Sequence, residues 1–143
     1  VANSDDGGLR PEFRKRLSQY QWNTIEVGAI AGGIPDSEFC TPTGVQGWIE
    51  FKQTHIFHVD IKPLQVAWLM QRCRYGGNAF IAVRRTPHSK REQGADELWI
   101  MKGNQAEILH NQGLTGVEAW VWEGGPNKWN FAEISAVLHN KVW

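Results

Sequence analysis

The stretch that decides the fold is Gly33-Ile34-Pro35-Asp36-Ser37-Glu38-Phe39-Cys40-Thr41-Pro42-Thr43-Gly44-Val45-Gln46-Gly47-Trp48-Ile49-Glu50-Phe51-Lys52. Pro42-Thr43-Gly44 is turn chemistry between two strand-like runs, so the segment is expected to fold back as an antiparallel hairpin. If Thr41 faces Val45 across a three-residue loop, Asp36 lies directly opposite Glu50. Cross-strand neighbours place their Cβ atoms about 4.5 to 5.5 Å apart, close enough for two carboxylates to share one cation. Period-two alternation then puts Lys52 on the face of Glu50 and sends Ile49 and Phe51 to the other, giving one charged and one apolar face.

Two buried acids at that separation repel, and a divalent cation is the simplest means of keeping both ionised. Oxygen ligands favour Mg²⁺, with Mn²⁺ as a substitute, and these ions keep waters that can serve as nucleophiles. A lysine beside such a water can orient it or stabilise charge developing on a phosphate. The competing reading is an ordinary hairpin with a Glu-Lys pair on a solvated face.

Working outward, the 143-residue chain, with 41% hydrophobic residues, is expected to form one domain with a real core. Residues 1–8 are small, polar and glycine-rich and read as a disordered tail. No apolar run approaches the roughly 18 residues of a membrane span, and the first residues are polar rather than signal-like. Two cysteines, Cys40 and Cys73, suit a reducing, cytoplasmic setting. The formal net charge of zero argues against attachment to nucleic acid by bulk electrostatics, so DNA binding would need local patches. Candidates are Arg10, Arg14, Lys15 and Arg16 near the start, and Arg84, Arg85, His88, Lys90 and Arg91 further on. Most of the eight tryptophans read as core.

Leu9, Phe13 and Leu17 recur at helical spacing and predict a first helix over 11–20, with Glu12 in its first turn. Residues 22–30 alternate as a strand carrying Glu26. His55 and His58 could suggest zinc, but two ligands are too few, and loop or surface histidines are expected. Pro63 opens a helix ending at Gly76-Gly77, followed by an apolar strand over 78–84. Strand, helix and strand make a βαβ unit with parallel strands, and Gln65, in the first turn of its helix, is placed to reach the site of Glu50 and Lys52. Residues 86–95 read as a basic loop. A strand over 97–101, a helix capped by Asn104, a strand over 117–122 and a helix capped by Asn130 complete the chain.

Pro35-Asp36, the hairpin, Glu50-Phe51-Lys52 and an acid on a preceding helix together resemble the PD-(D/E)XK nuclease superfamily. Pro63-Leu64-Gln65-Val66-Ala67-Trp68, Gly76-Gly77 and the strand over 79–84 extend the likeness to small stand-alone VRR-NUC and Holliday-junction-resolvase-like enzymes of phage type, over roughly residues 9–101. The resemblance implies a restriction-endonuclease-like three-layer α/β domain, a mixed central sheet flanked by helices, with residues 102–143 as an elaboration. It implies that Asp36, Glu50 and the Phe51 carbonyl bind Mg²⁺, that Lys52 assists the attacking water, and that Gln65 supports the site. Glu12 is the helix acid the family pattern points to, with Glu26 its competitor. The activity implied is metal-dependent DNA endonuclease cleavage of branched, flap or junction substrates, with a homodimer as the resolvase-like assembly. An inactive DNA-binding module and a carbohydrate enzyme are the alternatives; the latter leaves Lys52 and the basic loop without a role.

Overall fold

The computed structural model describes residues 6–25, 32–87 and 95–140. The elements in chain order are α1 (Leu9–Arg16), β1 (Gln21–Thr24), β2 (Ser37–Cys40), β3 (Gln46–Thr54), α2 (Pro63–Arg74), β4 (Ala79–Arg85), β5 (Glu97–Lys102), α3 (Ala106–Gln112), β6 (Trp120–Trp122) and α4 (Phe131–Leu138). The six strands form one sheet in sequential order, β1 to β6. β3 and β4 run parallel, joined by α2, and every other neighbouring pair is antiparallel. The sheet is therefore mixed, as expected, and helices cover both of its faces.

The central hairpin takes the expected register. Ser37 pairs with Ile49 and Cys40 with Gln46. Its loop closes through Thr41 and Val45: the Thr41 N–H donates to the Val45 carbonyl at 2.9 Å, and the Val45 N–H donates to Thr41 Oγ1 at 3.0 Å. Gly44 has φ 86°, a left-handed conformation that suits glycine in a three-residue hairpin loop.

Alternation along β3 divides two cores. Ile49 and Phe51 join Leu9 and Phe13 of α1, Phe80 and Ala82 of β4, and Ile134, Val137 and Leu138 of α4. On the other face Ile81, Val83 and Met101 pack with Leu69 of α2 and Leu109 of α3. β4 lies between both cores, and Ala79 to Val83 are all buried, which accounts for its continuous apolar run. α4 shares the core of α1, so the last third of the chain completes the central domain. Among the described residues, no helix is long and apolar enough to cross a membrane.

Several boundaries differ from expectation. α1 starts two residues before Pro11, because the Asp6 carboxylate accepts the N–H groups of Gly8 at 2.9 Å and Arg10 at 3.1 Å and so caps an earlier turn. Residues 6–8 thus form a turn rather than a disordered tail; residues 1–5 lie outside the described range. The first strand covers Gln21–Thr24, and Glu26 falls among the undescribed residues 26–31. A 3₁₀ turn, Gly103–Gln105, precedes α3, and Asn104 makes no side-chain cap. β6 is shorter than the alternation over 117–122 predicts. The Asn130 cap is present, its side chain accepting the Glu133 N–H at 3.1 Å.

Candidate active site

Asp36 immediately precedes β2, and extending the register from Ser37 and Ile49 sets it against Glu50. Its carbonyl accepts the Ile25 N–H at 2.8 Å, which ties this corner to the end of β1. Glu50 lies in the middle of β3, pointing to the α2 face, and is 5% exposed. Lys52, two residues on, lies on the same face with its Nζ 3.7 Å from Glu50 Oε2. Gln65 Nε2 donates to the same carboxylate oxygen at 3.2 Å, while its Oε1 accepts the Lys62 N–H at 2.9 Å. With both ends of its amide engaged, Gln65 is a strut from the first turn of α2 to Glu50. The fold therefore brings Asp36, Glu50, Lys52 and Gln65 together.

Burial raises the Asp36 carboxyl from its ordinary 3.8 to about 6, with the Arg10 guanidinium, the Ser37 hydroxyl and the Phe51 N–H pulling against it. Burial, then the neighbouring Asp36 charge, raises Glu50 from 4.5 to about 7, opposed by Lys52. Near neutral pH the pair thus resists holding two negative charges. Asp36 Oδ1 is buried without a hydrogen-bond partner. A carboxylate with one unpartnered buried oxygen, coupled to a second strained acid, suits a divalent cation, which would remove both penalties. The donor set is hard oxygen, appropriate to Mg²⁺ or Mn²⁺. Among the described residues, no three His, Cys, Asp or Glu side chains cluster as a metal site, and Glu26 lies outside the described range. The ring of Phe51 is buried in the opposite core, which holds this stretch of β3 rigidly in place.

Glu12 is engaged elsewhere: on α1, its Oε1 accepts from Arg16 Nη2 at 3.2 Å. Two residues stand closer to the acid pair: Asp6, which the sequence places in the tail, and Arg10, which it places in a basic patch for DNA. Asp6, 2% exposed, lies near enough for its charge to raise Asp36 further, and Arg10, bonded to Asp6 Oδ2 through Nε at 3.0 Å, lowers both Asp36 and Glu50. The signal was available: Asp6 stands just ahead of the first helical residues, where an acid can accept their N–H groups, and at i, i+4 spacing from Arg10.

The expected DNA contacts fare unevenly. Arg84 is occupied by Asp96, to which it donates from Nε at 2.9 Å and Nη2 at 2.6 Å, and by the Gly7 carbonyl, which accepts from Nη1 at 2.8 Å. Arg85 is buried, donates to Glu97 Oε1 at 2.6 Å, and stacks on Phe57. Both are paired within the protein, Arg84 with Asp96 just ahead of β5 and Arg85 with Glu97 on it. Arg14 donates to the Thr24 hydroxyl, and Lys15 is exposed. His88, Lys90 and Arg91 fall among the undescribed residues 88–94. His55 and His58 are exposed loop residues, the first bonded to the Thr86 carbonyl through Nδ1 at 2.6 Å.

Fold and site together define a three-layer α/β domain with a buried acid pair and a lysine on one internal strand. The sequence matches no family model and no curated protein. Among solved structures, the chain is similar to Hjc, a Holliday junction resolvase from the archaeal hyperthermophile Archaeoglobus fulgidus, at 13% identity and a TM-score of 0.49, over 92% of this chain and 97% of that one.

Proposed function

We propose that this chain is a metal-dependent nuclease that hydrolyses phosphodiester bonds in DNA, with a preference for branched, flap or junction substrates. The observation that supports it most is the buried Asp36–Glu50 pair, its Asp36 oxygen without a partner and Lys52 alongside. A pair so costly in the absence of a counter-charge has no structural purpose that a neutral pair would not serve better. Asp36, Glu50 and the Phe51 carbonyl would hold Mg²⁺, or Mn²⁺ in its place. Bound there, the ion supplies Lewis-acid stabilisation of the phosphate and an acidified water.

The chain's own residues divide the remaining work. Gln65 fixes the rotamer of Glu50, so that the acid pair is organised before substrate arrives. Lys52 carries its positive charge on the same face, where it orients the attacking water and offsets charge developing on the phosphate oxygens. Arg10, held by Asp6, keeps the acid pair partly ionised. The balanced net charge leaves substrate choice to shape and local contacts rather than to non-specific attraction. The free thiols of Cys40 and Cys73 suit a cytoplasmic enzyme, and a homodimer would allow two strands to be cut.

The test is cleavage of labelled single-stranded, duplex, flap and four-way-junction DNA with Mg²⁺, Mn²⁺ or EDTA, comparing the native chain with Asp36→Ala and Lys52→Ala. Metal-dependent cutting lost in both variants is expected. Binding without cleavage by a well-folded native chain in every metal would overturn the enzyme assignment.

A further inference from the structure

Among the described residues, Arg10, Arg14, Arg16, Arg84 and Arg85 each donate to a side-chain oxygen of the protein. Arg72 is held differently. Its guanidinium carbon lies 4.5 Å from the ring centroid of Trp68 and 5.5 Å from that of Trp48, and the two indoles meet edge to face at 5.4 Å. A Cβ at Gly77 would meet Arg72 Cγ at 2.6 Å, so this glycine leaves the arginine stem its path. Two aromatic rings and a glycine thus fix a half-buried cation in one place. A guanidinium seated over a ring keeps its N–H groups in its own plane, at the edge, and among the described residues no acceptor takes those of Arg72.

The helix supplies no counter-charge. α2, Pro63–Arg74, contains no acid and carries both Arg72 and Arg74 in its last turn. Glu38, cross-strand from Trp48, accepts from Asn23 Nδ2 on one oxygen and from Gln46 Nε2 on the other, both at 2.7 Å. Complementing the helix dipole accounts for basic residues at this end, the exposed Arg74 included. It does not account for a mount of two tryptophans under one of them.

That mount stands on the face of the acid pair. Trp48 precedes Glu50 by two residues on β3 and packs with Trp68 on the α2 side of the sheet. Gln65, Trp68 and Arg72 follow i, i+3, i+7 spacing, so they line one side of α2 from the Glu50 strut to the tryptophans. Seven residues of helix span about 10 Å. One strand of duplex DNA rises about 3.4 Å per phosphate, so a strand cut at the acid pair and running along α2 brings a phosphate to Arg72 about three nucleotides away.

We infer that Arg72, mounted on Trp68 and Trp48, binds a backbone phosphate of the DNA strand about three nucleotides from the scissile bond. Planar, forked donors suit the oxygens of a phosphodiester, and a guanidinium fixed before contact loses little freedom on binding. The contact positions the strand without reading its sequence. The inference rests on the nuclease reading for the identity of the strand and adds a contact that the reading lacks.

The experiment measures binding of fluorescein-labelled flap DNA by anisotropy in EDTA over a range of salt, for the full-length native chain, Arg72→Gln, Arg72→Lys and Arg74→Gln. Arg72→Gln is expected to weaken binding about tenfold and to lower the slope of log affinity against log salt by about one, the loss of one phosphate contact. Arg72→Lys should keep the slope, and Arg74→Gln should leave affinity within about twofold of native, because its charge is exposed and screened. A neutral methylphosphonate placed singly along the strand should weaken native binding at one linkage and make no difference there to Arg72→Gln. A structural role alone would lower the thermal midpoint of Arg72→Gln and leave its salt slope unchanged, which overturns the inference. An equal loss in Arg74→Gln, or an Arg72→Gln variant as sensitive as native at every linkage, also overturns it. If the native chain binds DNA but cuts in no metal, the nuclease reading fails and the salt slope still decides Arg72; if it binds no DNA, both fail.

Discussion

Replacing Asp36 with asparagine should stabilise this protein while removing the nuclease activity proposed for it, and the size of the gain follows from the acid pair. Glu50 is 5% exposed, and its carboxyl is raised from 4.5 to about 7, by burial first and by Asp36 second. At about 1.4 kcal/mol per pKa unit, keeping Glu50 ionised in the fold costs about 3 kcal/mol. Asp36, raised from 3.8 to about 6, carries a similar cost, but the mutual repulsion is shared and must not be counted twice. A raised acid binds its proton more tightly folded than unfolded. The cost is therefore absent below the unfolded pKa, grows as pH rises between the unfolded and folded values, and is fully present above the folded one. In EDTA, stability should fall by about 3 kcal/mol between about pH 5 and about pH 8, a drop of about 10 °C in thermal midpoint for a chain of this length. Asp36→Asn keeps the shape, removes one charge and relieves Glu50 of its neighbour. The variant should lose the part of the pH dependence that Asp36 and its repulsion impose, keep the larger part that burial of Glu50 imposes, and melt higher than the native chain at the alkaline end. Mg²⁺ should raise the native midpoint at high pH, far less at low pH, and hardly at all in the variant. Differential scanning calorimetry across this pH window, with and without Mg²⁺, measures all three. A native midpoint flat with pH in EDTA, or an Asp36→Asn variant less stable than native at alkaline pH, would refute the reasoning.

Two further outcomes are expected. Gln65→Ala removes the donor that holds Glu50 and should weaken Mg²⁺ affinity about tenfold or more, read by calorimetric titration, with the fold intact by circular dichroism. Arg84→Ala strands Asp96 and the Gly7 carbonyl and should cost about 2 kcal/mol in urea denaturation. Its affinity for DNA per folded molecule should be unchanged in fluorescence anisotropy, because that guanidinium is spent within the protein.

The sequence by itself determined the hairpin, and through it the heart of the site. A proline, a threonine and a glycine admit few ways to reverse a chain, and alternation permits a single register that buries Ile49 and Phe51, so Asp36 had to meet Glu50. The crossover helix and its Gln65 followed from equally local rules: Pro63 at a helix start, and a glycine pair at its end. Residues 26–31 and 88–94, which carry Glu26, Lys90 and Arg91, lie outside the described range. What only the tertiary structure decided was the fate of the charges. Arg84 and Arg85 read as a basic patch because sequence shows like charges side by side and hides their partners. The pairing of β4 with β5 sets Arg85 against Glu97, and Asp96, just ahead of β5, takes up Arg84. Asp6 reads as a tail residue, and the family resemblance offers Glu12, in competition with Glu26, as a further ligand; yet the early start of α1 buries Asp6 beside Asp36, and Glu12 pairs with Arg16. The physical reason is common to all four. Backbone geometry is set by neighbours along the chain, whereas a charge takes its meaning from burial and from partners that arrive only when distant segments pack.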